Sequence, residues 1–348
     1  MAEIGKYIYG IINSKEEKIF GPYGIPIGEL VYTIPYQDIS AVVNDSRVVD
    51  YTNLFKDALA RLLLNHQKVI ERIMNLDYAI IPFKLGTFSV TKEEIGQILA
   101  KGYPLIKDVF NKIIDKIEID VACAWSDFES VIKEIGEQKE IKELKERILA
   151  NPGRITTDDQ MKAGFMVKKA LDEKRAGYRD YIEDVLRKAA IDFKAHELMD
   201  DKMLINTAFL IDKAKRKNFD EKVEKLNAEF NEKLNFRCVG PLPPYSFYTL
   251  EVKKIEFEDL DWARKKLSLT DAISKDELKE AYQKAVFLHH PDKNPTVPDI
   301  EKEFDEVVKA YKILGEYTLA CKQAGFKERF SFKEEECKRN ALLVKIRD

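Results

Sequence analysis

The sequence predicts an α+β architecture: two α+β domains followed by an all-α domain. Three observations carry this. Short β-prone apolar runs and helix-period apolar stripes alternate from Tyr7 to Val252. Only helical periodicity follows, from Trp262 to Leu314. The length, 348 residues, fits two or three domains of about 150 residues each. The expected boundaries are 1–116, 117–261 and 262–315, with a charged tail over 316–348.

The elements follow in order. Tyr7–Ile12 is a β-prone run, and Gly21–Gly28 is dense in glycine and proline and reads as turns. Glu29–Ile34 and Ile39–Val43 read as strands. From Asn53 to Met74 the period becomes helical: Leu54, Ala58, Leu62, His66, Val69, Ile70 and Ile73 share one face. Ala79–Phe83 is a compact apolar strand. Thr91 and Glu94 form a capping box for a helix towards Leu99, and Pro104 starts a further helix. In the second domain Ile117–Trp125 reads as a strand, and charged helical sequence runs to Ala150. Asn151-Pro152-Gly153 is a breaker, and the next helix runs from near Asp158 to about Leu198, an unusually long helical insertion. Leu204–Ile211 is a buried-type strand and Phe219–Leu234 a helix. Phe236–Val239 and Tyr245–Val252 are strands around Gly240-Pro241-Leu242-Pro243-Pro244.

Charge excludes some functions. Lys+Arg is 58 and Asp+Glu 61, a formal net charge of −3. The signs are mixed throughout, with 14 of each in residues 1–116 and 10 of each in residues 262–315. Nucleic-acid binding would usually concentrate basic residues in one segment, so no nucleic acid is expected. Cys123, Cys238, Cys321 and Cys337 have no zinc or C-x-x-C spacing and read as reduced thiols. No apolar run is long enough for a membrane span, and the N-terminus lacks a signal-peptide pattern, so a cytoplasmic location is expected. Phosphate-loop, dinucleotide, zinc-protease and nucleophile-elbow motifs are missing. The expectation is a protein that is not an enzyme and needs no cofactor or metal.

The most specific local pattern lies in the all-α part. Ser274-Lys275-Asp276-Glu277 is a capping box that opens a helix with Leu278, Tyr282, Ala285 and Val286 at core spacing. That helix ends in Leu288-His289-His290-Pro291-Asp292-Lys293-Asn294-Pro295, and a second helix carries Phe304, Val307, Tyr311 and Leu314 on one face. Pro291 limits His290 to extended geometry, which ends the helix and presents His290 and Asp292 from a stiff turn. Such a turn loses little entropy on binding. Residues 277–295 and 304–314 closely resemble the J-domain of DnaJ-type co-chaperones. The resemblance implies that His290, Pro291 and Asp292, with Lys279 and Lys284 on the preceding helix, engage a DnaK-type chaperone and stimulate its ATPase. There are departures. Ser268 stands where glycine is usual, Gln283 and Leu288 replace basic residues, and the closing K-R-x-x-Y-D element is missing. Weaker or more selective chaperone binding is therefore expected.

Residues 6–250 resemble the gas-vesicle accessory family GvpF/GvpL. Four ordered stretches carry the match: Tyr7–Ile12; Gly24-Ile25-Pro26 with Tyr36–Val43; His66–Glu71 with Ile81–Thr87; and Ala208–Asp212 with Gly240–Phe247. The resemblance implies a ferredoxin-like first domain. It also implies an assembly factor or minor vesicle component that binds the small shell protein of GvpA type, among other gas vesicle accessory proteins. It places the protein with the gas vesicle. A shell protein that polymerises through apolar and strand surfaces is aggregation-prone before assembly, and a partner with a free sheet edge or apolar groove could cap it by strand addition. Pro241, Pro243, Pro244, Tyr245 and Phe247 are the candidate shell-binding residues; the alternative is that these prolines only start a strand. His66 reads as a packed core histidine, with partner binding as the alternative. His196 reads as structural, near a helix C-terminus. Lys213–Lys217 reads as a solvated loop or a contact for acidic partners. The competing reading of the whole chain is a structural vesicle component whose J-like part stimulates no ATPase.

Overall fold

The computed structural model describes residues 4–49, 51, 54–150, 156–295 and 297–347. The chain forms two compact units, Met1–Lys112 with Tyr248–Asp348 and Ile113–Phe247. The first domain of the sequence reading therefore belongs to one unit with the J-like part.

The first segment contains β1 (Ile4–Ile12), β2 (Ile19–Pro22), β3 (Leu30–Tyr36), β4 (Ile39–Arg47), α1 (Lys56–Met74), β5 (Ile80–Pro82), β6 (Phe88–Ser89) and α2 (Lys92–Ile113). Its sheet has the order β2-β3-β4-β1-β5, with β6 also pairing β1, and the ladders are antiparallel. Tyr7–Ile12 is buried residue after residue, which is why it reads as an unbroken apolar run. Strand β2 overlaps the stretch expected to turn only at Gly21 and Pro22, and it lies at the edge of the sheet, where a proline costs no inner-ladder donor. The stripe of α1 is buried only in its second half, at His66, Val69, Ile70 and Ile73. Asn53, the expected helix start, lies outside the described residues. The two helices expected around Pro104 are one helix. Ile95, Ile98, Leu99, Ile106, Val109, Phe110 and Ile113 are all buried, so one apolar stripe crosses the proline and its packing outweighs the lost backbone bond.

The other unit contains β7 (Lys116–Trp125), α3 (Phe128–Gly136), α4 (Lys139–Ala150), α5 (Thr157–Arg187), β8 (Asp192–Ala195), β9 (Met203–Asp212), α6 (Arg216–Glu229) and β10 (Leu234–Leu242). The sheet order is β10-β7-β9-β8, antiparallel. Helices α3 to α5 are the long insertion between β7 and β8; the expected breaker at 151–153 lies outside the described residues. Helix α5 stops at Arg187 rather than near Leu198, because the following residues form the edge strand β8. The expected strand Tyr245–Val252 is instead a short helix, α7 (Tyr245–Tyr248), and then β11 (Leu250–Lys254). The Glu118 carboxylate accepts from the Ser246 amide (2.9 Å) and hydroxyl (2.8 Å), which turns the chain there.

After β11 come α8 (Phe257–Lys266), β12 (Ala272–Ile273), α9 (Lys275–His289), α10 (Ile300–Gln323), β13 (Phe330–Ser331), α11 (Glu334–Asn340) and β14 (Leu342–Ile346). The expected helical part, 262–315, is helical apart from the two-residue strand β12, which pairs β13; β11 pairs β14 outside it. The charged tail also proves to be structure. Helix α10 runs past Leu314, and Tyr317, Cys321, Phe330, Phe332 and Cys337 join the core of Leu260, Leu278, Val307 and Leu314. The Tyr317 hydroxyl donates to the Ser331 carbonyl at 2.6 Å. Among the described residues no helix is long and apolar enough to cross a membrane.

Candidate functional site

The His290–Asp292 turn is built from its neighbours. Ser274 and Glu277 close the expected capping box at the start of α9. At its end His290 has φ −67° and ψ 126°, the extended geometry that Pro291 demands. Residues 291–293 then form one 3₁₀ turn. The His290 carbonyl accepts from the amides of Lys293 (3.0 Å) and Asn294 (3.2 Å). The Asn294 side-chain amide donates to the Leu288 carbonyl at 2.9 Å, tying the turn back to the helix. The Asp292 amide donates to His290 Nδ1 at 3.2 Å, which makes Nδ1 an acceptor and leaves the proton of a neutral imidazole on Nε2. The ring stands edge-on to Phe304 of α10, with centroids 5.5 Å apart. The Asp292 carboxylate is 89% exposed. The turn thus holds a fixed imidazole and an exposed carboxylate side by side.

Helix α9 carries a mixed face. Lys279 and Lys284 are both exposed, but five residues at 100° each set them about 140° apart, at the two sides of the exposed surface. Phe287 and Leu288, 63% and 65% exposed, occupy the part nearest the turn. Lys293 Nζ lies 3.4 Å from the Phe287 ring centroid, so one cation is drawn onto an apolar ring. Helices α9 and α10 lock through stacked Tyr282 and Tyr311, centroids 4.0 Å apart. Lys266 of α8 binds Glu303 (2.7 Å) and Glu306 (2.5 Å) of α10. Ser268 explains the usual glycine at its position. It has φ +53° just past α8, where the Ser268 amide donates to Lys265 and the Leu269 amide to Arg264, a Schellman motif that favours a residue without a Cβ.

The Pro-rich stretch is only partly open to a partner. Pro243 and Pro244 are buried, and Pro241, Tyr245 and Phe247 are half-buried. Sequence reasoning missed what sits beneath them. Glu118 and Asp120, two residues apart on the same side of β7, are held above the ordinary carboxylate range by burial. His196 Nε2 lies 3.0 Å from the Ser246 hydroxyl that donates to Glu118. The period-two spacing of the two acids was the available signal. His196 itself follows β8 and not a helix C-terminus. Among Lys213–Lys217, Lys215 pairs with Asp212 at 2.9 Å, and Arg216 faces Asp220 at 3.6 Å. His66 is 2% exposed, bonds the Tyr7 hydroxyl at 2.8 Å through Nδ1, and stacks on Tyr9.

Comparison with known proteins accounts for both halves of this arrangement. The family model "Gas vesicle synthesis protein GvpL/GvpF" matches residues 5–249, and the DnaJ domain model matches residues 265–318. Gas vesicle protein F of Microcystis aeruginosa is 21% identical over 252 residues, covering 71% of this chain and 99% of the relative. Gas vesicle protein F1 of Halobacterium salinarum is 23% identical over 248 residues, 71% of this chain and 93% of the relative. The chaperone protein DnaJ of Chlorobium limicola is 48% identical over 48 residues, 14% of this chain and 12% of that protein. The crystal structure of GvpF from Anabaena sp. PCC7120 superposes with a TM-score of 0.58 at 20% identity, covering 70% of this chain and 97% of that one, a likeness of fold.

Proposed function

Because the chain belongs to the GvpL/GvpF family of gas vesicle synthesis proteins and carries a DnaJ domain, we propose that it serves gas vesicle assembly as a client-specific co-chaperone. In this reading it binds the small shell protein of GvpA type before assembly and recruits a DnaK-type chaperone through His290, Pro291 and Asp292. The observation that carries it is the turn itself: all three residues are present, hydrogen bonds within the turn fix its backbone, and the Asp292 carboxylate is open to a partner. A surface fixed in advance binds at a lower entropic cost than one that must be ordered. The fusion places client and chaperone recruitment on one polypeptide, which raises their effective concentration. The reading requires no chemistry from the chain itself, so it is proposed as a non-enzyme located at the gas vesicle.

A second reading is favoured by Phe287 and Leu288, which interrupt the cationic face of α9. In it the J-like part is a structural element of a minor vesicle component and stimulates nothing. One experiment separates the two: steady-state ATPase of the cognate DnaK-type chaperone with the full chain and with His290→Gln. Stimulation by the full chain that disappears in the variant is the expected result. Equal rates with and without saturating protein select the structural reading.

A further inference from the structure

Strand β11 has an open edge, and that edge forms the wall of an apolar groove. The ladder with β14 fixes which peptide groups point where. Ile255 N–H donates to the Ala341 carbonyl (2.9 Å) and Arg347 N–H to the Thr249 carbonyl (2.8 Å), so the odd-numbered residues of this strand face β14. In an antiparallel ladder the alternate residues face the other way. On that side Lys84 N–H donates to the Leu250 carbonyl at 2.8 Å, and Phe83 bridges Leu250 in parallel. There the pairing stops, because Gly86, with φ +81°, turns the chain away. The peptide groups of Val252 and Lys254 are left with no backbone partner among the described residues.

The space beside them is a groove of about 620 Å³, lined by Val48, Leu59, Leu85, Val90, Ile98 and Val252 among others. Its four charged groups are closed on one another. Lys84 pairs with Glu251 at 2.6 Å, and Lys254 pairs with Glu94. The groove therefore offers backbone hydrogen bonds and apolar contact but no unpaired charge. Phe55 and Leu63, one turn to either side of Leu59, are also exposed. Strand β11 lies between the two matched regions, residues 5–249 and 265–318.

We infer that this composite groove receives an extended, uncharged, apolar segment of the shell protein, added as a strand to the free edge of β11. This rests on the shell-binding reading above. Each feature selects the occupant: open peptide groups require a strand, the lining requires apolar side chains at alternate positions, and the closed ion pairs disfavour a charged segment. The edge from Leu250 to Lys254 spans about 14 Å, enough for four or five residues of partner. The occupied strand would lie on the ladder that carries the J helices. Lys345 of β14 bonds Glu316 of α10 at 3.1 Å, and Lys253 of β11 pairs with the same carboxylate.

The test uses the full chain and the purified small shell protein, with affinity measured for wild type, Val252→Pro and Leu59→Asp. Val252 gives no N–H to β14, so proline there removes only the outward donor; Leu59→Asp leaves the ladder untouched. A loss of at least tenfold in both variants with unchanged thermal melts, and slowed hydrogen exchange of the Val252 and Lys254 amides in the wild-type complex, is expected. Should Val252→Pro fail to fold, Leu59→Asp and the exchange data decide. Shell binding that both variants retain overturns the groove while leaving the shell-binding reading standing. A wild-type chain that does not bind the shell protein removes that reading and this occupant together. A wild-type dimer that Val252→Pro makes monomeric assigns the edge to a second copy of the chain and overturns the proposal.

Discussion

His66 makes the stability of the first segment depend on pH by an amount that can be worked out. Its ring is packed between Tyr7 and Tyr9, and burial holds its pKa down to about 4 from the usual 6.5. The neutral form is therefore the one the fold accepts. Between the two values the unfolded chain binds more protons than the native one, so stability falls as pH falls. The contribution is fully present above pH 6.5 and is lost progressively down to about pH 4. A difference of 2.5 pKa units, at 1.36 kcal/mol each, corresponds to about 3 kcal/mol. That is a large fraction of the roughly 5–15 kcal/mol that holds a typical domain together. The assay is urea unfolding followed by circular dichroism at pH 7 and pH 4, for wild type and His66→Gln. Glutamine can still bond the Tyr7 hydroxyl but cannot gain a proton. Carboxylates contribute equally to both proteins, so the difference between the two pH dependences isolates His66. The wild type should lose about 3 kcal/mol more than the variant over this range. Parallel pH dependences would refute the argument and mean that His66 is solvated or changes partner on protonation.

Two other outcomes follow from the J-bearing part. A chain ended at Leu314 should lose amide protection throughout α9, read by hydrogen exchange, because it discards Tyr317, Phe330 and Phe332 from the core, each worth about 3–5 kcal/mol by analogy with large-to-alanine changes. Gln283→Lys combined with Leu288→Arg should lower the concentration of protein needed for half-maximal chaperone ATPase stimulation about fivefold, with the gain disappearing in high salt.

Much of this was legible in the sequence, and the misses share causes. The His290–Asp292 turn could be read because its determinants are local: a capping box at one end of α9 and a proline at the other. The second half of α1 was legible because His66, Val69, Ile70 and Ile73 keep a strict helical spacing. Pro104 misled because a local helix-breaking rule was overruled by a stripe of seven buried residues drawn from both sides of it. Residues 316–348 misled in the opposite way. Their 8 basic and 6 acidic residues suggested a solvated tail, and only the folded chain reveals that Phe330, Phe332 and Cys337 reach back into a core begun 70 residues earlier. The Pro-rich stretch stood out as a strand entry or a binding surface, but the contact of Glu118 with Ser246 just after it joins residues far apart in sequence. The groove was beyond reach altogether. Its lining comes from five separate segments, and the open edge of β11 is a property of hydrogen-bond phase in a ladder whose strands are about 90 residues apart.

The pairing of β11 with β14 also bears on how such a chain could arise and be rebuilt. Thr249 and Arg347 meet across one hydrogen bond of 2.8 Å, so everything between them leaves and returns at a single point. Topologically the J-bearing part is a closed cassette whose two ends fit the width of a hairpin. A cassette of this kind can be spliced behind an existing domain, or into one of its surface loops, without stretching either partner. It can equally be lifted out, circularised or exchanged for another module with the same pair of terminal strands. The two-stranded clasp is then where a designer would cut, provided that the bridge from Phe83 to Leu250 and the Lys84–Glu251 pair are rebuilt with it.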